Sequence, residues 1–213
     1  MAYRTTEARA ERDRALREHI LDCGMLQVAE GGFASLNMSG LASAAGVATG
    51  SLYRYFPGKG ALAAEIFTRA TRIEFEALRQ QFARPGAAAD RLAAGIGQFA
   101  ARAWHSRQLA YALIAEPVEP EVDEQRLRFR EAYAELYCSL IREGNHDGSF
   151  QVDAAPLVAA CLVGAVAEAL VGPLSPQARA ARASGLPSES LESVTRAIVR
   201  FSLRALGAKE HIQ

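Results

Sequence analysis

Apolar residues recur at spacings of three and four along almost the whole chain, while the alternating Val, Ile and Thr runs of half-buried strands are scarce. Such a period puts the apolar side chains on one face of a helix, so the pattern excludes a sheet-based architecture and predicts an all-α protein. Pro and Gly cut it into helices of about 11–30, 38–45, 49–55, 59–82, 88–106, 108–115, 121–143, 154–171 and 188–206. The later breaks are "EPVEP", "GNHDGSF" and "GPLSP...SGLP". No internal repeat of fixed period is present. With 213 residues, half of them apolar, the chain can bury a sizeable core.

The formal net charge is zero, so any nucleic-acid binding must come from a local patch rather than the whole chain. Three cysteines, Cys23, Cys138 and Cys161, lie in helical patterns, which argues against a disulfide framework and for a reducing compartment. The N-terminal stretch is heavily charged rather than apolar, so the cytoplasm is the expected location. Its arginines, among them Arg12, Arg14 and Arg17, face four acids nearby and read as a solvated helix face, with Asp13 and Arg17 at pairing distance. The run "AAPLVAACLVGAVAEALVGPL" contains Glu168 and is rich in Ala and Gly, so it reads as a buried helix and not a membrane span.

The two shortest helices carry the most information. Asn37 is a good N-cap for the first, Gly46 is placed to end it, and the second follows within a few residues. Two short helices joined by a tight turn form a helix-turn-helix, whose second helix can enter a major groove. Leu41, Ala42, Ala45, Val47 and Leu52 are spaced to pack the pair together, leaving Thr49, Gly50, Ser51, Tyr53, Arg54 and Tyr55 outside. Small residues allow close approach to base edges, and hydroxyls can bond bases or phosphates. Lys59 opens the next helix, where its charge and the helix amides can meet one phosphate. Residues 31–64 contain Arg54 and Lys59 and no acid.

The segment "ILDCGMLQVAEGGFASLNMSGLASAAGVATGSLYRYFPGKGAL" resembles the N-terminal domain of the TetR/AcrR family of transcriptional regulators, with Gly32-Phe33, Leu41-Ala42, Ala45-Gly46-Val47, Gly50-Ser51-Leu52-Tyr53, Tyr55-Phe56 and Lys59 in order and spacing. The resemblance implies a DNA-binding head over residues 1–58 and a larger helical body over 59–213 that holds a small effector and pairs two subunits. It implies a ligand-responsive repressor, a homodimer on a pseudo-palindromic double-stranded DNA operator, released by a largely apolar small molecule. Carried over, Thr49, Gly50 and Tyr53 face bases, Ser51, Tyr55 and Lys59 face phosphates, and Ser39 stands at the groove edge. Ala48, Gly40 and Gly60 depart from the pattern, with Gly40 removing the acid of a capping box.

In the body, Phe99, Trp104, Tyr111, Tyr133 and Tyr137 are the candidates for an apolar effector pocket, with His105, Arg107 and Glu116 for its polar contacts. Leu162, Val166 and Leu170, flanked by small residues, and Val194, Ile198 and Phe201 form two apolar stripes expected to pair across a two-fold axis as a four-helix interface. A helical ligand-binding or scaffold protein without DNA activity is the competing reading. An enzyme is the weaker rival: "GIGQFA" fits a dinucleotide pattern but lies in a helical run with no preceding strand, and Glu143 with His146 has no second such pair. His19, His105 and His211 lack ligand-type neighbours at metal spacing, so no catalytic residue, metal or cofactor is expected.

Overall fold

Two apolar clusters organise the chain, and two helices run through both. The computed structural model of the protein describes residues 2–208, and the described residues contain ten α-helices and no strand. They are α1 (Ala2–Gly31), α2 (Met38–Ala44), α3 (Thr49–Tyr55), α4 (Lys59–Phe82), α5 (Ala88–His105), α6 (Arg107–Ile114), α7 (Pro120–Asp147), α8 (Ala155–Leu174), α9 (Pro176–Ala183) and α10 (Leu191–Ala205), with a 3-10 turn at Phe33–Ser35. His211 lies outside the described residues.

The first cluster buries Ile20 and Val28 of α1, Leu41 of α2, Leu52 of α3 and Leu62, Ile66 and Phe67 of α4. It also takes in Ala112 of α6 and Val122 of α7, so the small N-terminal unit is closed by residues far along the chain. The second cluster joins Leu78 and Phe82 of α4 to Ile96 of α5, Ile141 of α7, Leu162 and Leu170 of α8 and Ile198 of α10. Helix α1 crosses α4 at Gly24, where an added Cβ would stand 2.5 Å from Ile66 Cδ1. That close approach accounts for a glycine inside a helix, at a propensity cost of about 1 kcal/mol.

Several boundaries differ from expectation. Helix α1 begins at Ala2 rather than near residue 11, and it is tied to α4 by ion pairs of Arg69 with Glu18 and Asp22 at 2.9 and 2.7 Å. The pair expected between Asp13 and Arg17 is not made: Arg17 reaches Glu65 on α4, and Asp13 accepts from Tyr55. Helix α7 continues through Gly144 to Asp147 and ends at Gly148, whose φ of 79° is left-handed. Gly144 is there for space, because an added Cβ would strike the buried Phe150 ring. Helix α8 runs on to Leu174, past Pro173; the buried helix expected there buries one face, and its outer face is open. Helix α9 fills the stretch expected to be a break: Ser175 caps it through Ala178 N at 3.2 Å and Pro176 opens it, a helix-start pair readable in the sequence.

The residues expected to pair two subunits require a correction. Leu162, Val166, Leu170, Val194 and Ile198 are buried against the subunit's own core, and only Phe201 is exposed. The stripe was long enough to suggest surplus apolar surface, but α5 and α7 cover it within one chain. What α8 leaves open is the adjacent face carrying Leu157, Cys161, Gly164 and Glu168.

Candidate DNA-binding head and effector cavity

The outer helix of the head is held from below. Asn37 Oδ1 accepts from Gly40 N at 2.7 Å and starts α2, and Gly46, at φ 67°, turns the chain toward α3. Leu41, Ala42, Ala45 and Leu52 are buried and Val47 packs against them, as their spacing predicts. Ser39, Thr49, Gly50 and Tyr53 are exposed, and Ser51, Tyr55 and Lys59 are half-buried. Nothing lies within 4 Å of where a Gly50 Cβ would be, so no internal contact excludes a side chain there; the bare backbone faces outward.

The local absence of acid does not survive folding. Tyr55 donates its hydroxyl to Asp13 Oδ1 at 2.9 Å, and the Arg54 guanidinium lies 4.8 Å over the Tyr55 ring and 3.5 Å from Asp13. Arg54 is raised above its ordinary value, first by its hydrogen bond to Tyr55 and then by charge. Lys59 Nζ stands 2.9 Å from Glu119 Oε1, at the N-cap of α7. Burial pushes the Glu119 carboxyl up, but its bond to Lys59, its own backbone amide and the lysine charge outweigh this and hold it below the usual carboxylate range.

Glu116, in the turn between α6 and α7, accepts from Phe33 N and Ala34 N, both at 2.9 Å. This corrects its expected place among the pocket's polar groups. The preceding residue, Gly32, has φ 74° and ψ −179°, a conformation almost reserved for glycine, and an added Cβ there would overlap the same carboxylate. Arg126 of α7 backs the turn, donating to Leu113 O at 3.1 Å and Glu116 O at 3.0 Å while lying 5.8 Å over the Phe67 ring. Burial pulls Arg126 down from its ordinary value.

Between α4, α5, α6, α7 and α8 lies an apolar cavity with about 120 Å³ open to the centre of a water molecule. Of the residues proposed for an effector pocket, Phe99, Tyr133 and Tyr137 line this cavity; Trp104 and Tyr111 do not. Both pack against the core, and the Arg107 and Arg182 guanidinium groups lie over the Trp104 ring. The missed lining residues include Phe67, Thr71, Glu74 and Leu78, a single face of α4 at helical spacing. That spacing was the available signal. The Thr71 hydroxyl is buried without a partner, and burial raises both tyrosine hydroxyls above their ordinary value, keeping them protonated as donors. Glu74 is neutralised by Arg102 through bonds of 2.6 and 2.8 Å.

Among the described residues no group of three or more His, Cys, Asp or Glu side chains is placed to hold a metal. "GIGQFA" lies inside α5, and Glu143 pairs with Arg91 at 2.6 Å.

Residues 20–66 match the family model described as bacterial regulatory proteins, tetR family. The chain is 32% identical over 130 residues to the HTH-type transcriptional repressor KstR of Mycobacterium tuberculosis, covering 61% of this chain and 54% of that one. It is 35% identical over 92 residues to KstR of Mycolicibacterium smegmatis, covering 43% and 40%. It thus spans about half the length of the curated relatives it matches. The fold is similar to the fatty acid degradation regulator FadR from Bacillus halodurans, at a TM-score of 0.72 and 19% identity over 91% of this chain and 97% of that one. It is similar also to FadR from Bacillus subtilis in complex with stearoyl-CoA, at 0.70 and 18% over 88% and 98%. With the head motif and its helical frame together, residues 20–66 form a head domain of the kind described for the tetR family of bacterial regulatory proteins, and the whole chain has the fold of the FadR structures.

Proposed function

We propose that the protein is a ligand-responsive transcriptional repressor working in the cytoplasm, with residues 1–58 reading an operator and residues 59–213 binding an effector and a second subunit. The observation that carries this is the outward face of α3: Thr49, Gly50 and Tyr53 are exposed together on a helix whose opposite side is locked into the core. Ser39 stands beside them on α2, and Ser51, Tyr55 and Lys59 flank them as phosphate contacts. The KstR relatives are repressors by name, which favours repression over activation. Lys59 must exchange Glu119 for a phosphate when the head docks, so α7 competes with DNA for this charge.

The effector is an apolar body with one hydrogen-bonding group, matched to the cavity wall and to the Thr71, Tyr133 and Tyr137 hydroxyls. The FadR structure holding stearoyl-CoA lends the reading support as a relative in fold. The cavity is small as it stands, so a larger ligand must part α4 from α7 and α8. Such a shift reaches the head through Arg126 and the Glu116 turn, and it represses or releases only as far as the ligand prefers one state.

Two subunits meet through the open face of α8 at Leu157, Cys161 and Gly164, together with Phe201 of α10. A dimer of this kind requires half-sites about 34–36 Å apart or a multiple of that. Footprinting on the DNA upstream of the protein's own coding sequence tests the reading: two protected, symmetry-related half-sites are expected, and a single asymmetric half-site or no protection refutes it. The scaffold alternative has no observation in its favour.

A further inference from the structure

A second opening lies at the corner where α5 turns into α6, beneath α9. It is an open cleft of about 690 Å³ lined by His105, Ser106, Arg107, Gln108, Arg179 and Arg182, with Ala29 of α1 also in its wall. Its charge is one-sided. Arg182 donates only to a backbone carbonyl, Pro173 O, at 2.7 Å. Among the described residues, neither Arg107 nor Arg179 has a hydrogen-bonding or acidic partner, and no acid lines the cleft.

Nitrogen atoms of all three arginines are buried without partners: Nε of Arg107, Arg179 and Arg182, and Nη1 of Arg182. Arg107 is pulled below its ordinary value, first by burial and then by Arg182. Converging guanidinium groups that lack counter-charge cost stability unless something else compensates. The first turn of α6 faces the same space: Ser106 provides no side-chain cap, and the helix's first backbone bond is Ala110 N to Ser106 O at 2.8 Å. The amides of Arg107 to Leu109 therefore have no carbonyl within their helix to bond.

We propose that this cleft is a binding site for a phosphate-type oxyanion. Guanidinium forks match the geometry of phosphate oxygens, and a helix N-terminus adds donors and a favourable dipole. The anion has two conceivable sources. Ser106 and Leu109 line both this cleft and the apolar cavity, so a phosphate-bearing amphiphile can place its tail in one and its head in the other. A free phosphate or pyrophosphate uses the cleft alone. The site itself does not depend on the effector reading. Because Ala29 belongs to α1, an anion held here stands between the head and the body.

Trp104 makes the site observable. It is the only tryptophan in the chain, and the guanidinium carbons of Arg107 and Arg182 lie over its ring, 4.9 and 4.5 Å from the centroid. The experiment titrates the full chain, at low ionic strength, with sodium pyrophosphate, dodecyl phosphate and dodecan-1-ol, following Trp104 emission and heat of binding. Saturable binding of pyrophosphate or dodecyl phosphate is expected, weakened roughly tenfold by Arg179→Gln and by Arg182→Gln. Arg182 also stacks on Trp104, so its variant can disturb the fold; Arg179 touches neither ring nor carbonyl and keeps the test intact.

Pyrophosphate binding supports a free-anion site. Binding of dodecyl phosphate alone, tighter than dodecan-1-ol and sensitive to Arg179→Gln, supports the head of an amphiphile. No binding of either phosphate, equal affinity for dodecyl phosphate and the alcohol, or binding unchanged in the Arg179→Gln chain overturns the proposal. Since pyrophosphate does not need the apolar cavity, its result is separable from the fate of the effector reading.

Discussion

Replacing Gly32 by Ala perturbs one point twice, and the two effects can be told apart. The backbone at φ 74°, ψ −179° lies where side chains are strained, at a cost of about 1–3 kcal/mol. An added Cβ also displaces the Glu116 carboxylate from Phe33 N and Ala34 N. Bonds to a charged acceptor contribute about 1.5–3 kcal/mol when buried; at this half-buried site the pair is set at about 2 kcal/mol. Gly32→Ala is therefore expected to cost about 3–5 kcal/mol and Glu116→Ala about 2. In the double variant there is no carboxylate left to displace, so its cost should fall short of the sum by about 2 kcal/mol. Urea unfolding followed by circular dichroism, at one fixed subunit concentration, measures all three variants. If the double variant is additive to within about 0.5 kcal/mol, the overlap is not what makes glycine necessary, and the attachment of head to body has been misread.

Lys59→Ala should weaken binding to every DNA sequence and flatten the salt slope by about one per subunit, whereas Thr49→Ala should change preference at one base position; equal loss of preference in both contradicts the roles assigned. Glu119→Gln frees Lys59 and should tighten operator binding by a factor of about 2–5 per half-site, the range of an exposed ion pair, so unchanged or weaker binding in a gel shift sinks the competition. The pH dependence has a definite sign: with the Glu119 carboxyl held low, the pair's contribution is present above the ordinary carboxylate value and is lost only as the pH falls through the depressed one. Gly144→Ala should destabilise by about 1–2 kcal/mol although Ala favours helices, because overpacking against Phe150 outweighs the propensity gain; a raised melting temperature refutes this. Leu157→Arg with Gly164→Arg should give a monomer of unchanged helical content by sedimentation, while a persistent dimer removes the α8 face from the interface.

The head was legible because its information is local. Asn37, Gly46 and the Leu41 to Leu52 spacing act over a few residues, and helix caps and packing intervals are written in sequence order. The body was legible only as a set of helices. Leu162 and Val166 show that an apolar stripe states that a face is covered without saying by what, and here the cover comes from the same chain. Charge was misleading for the same reason: the acid-free stretch meets Asp13 from upstream and Glu119 from downstream only after folding. Trp104 read as pocket lining because aromatic residues commonly line pockets, and nothing in sequence order announced the two arginines over its ring. Ser175-Pro176 could have revealed α9, but the surrounding Gly and Pro residues obscured it.

The shared path of α4 through both clusters sets a rule for building chimaeras from this chain. A cut at residue 58 would leave the N-terminal part without Leu62, Ile66 and Phe67 and also without Ala112 and Val122, exposing the floor on which α3 rests. Transplanting the proposed DNA-reading face onto a different body would therefore require the donor's α4 as far as Phe67 and a recipient able to reproduce the α6–α7 corner. Exchanging only the outward residues of α2 and α3 asks nothing of that seam. Specificity is thus portable as a surface, while the unit beneath it is not portable as a segment.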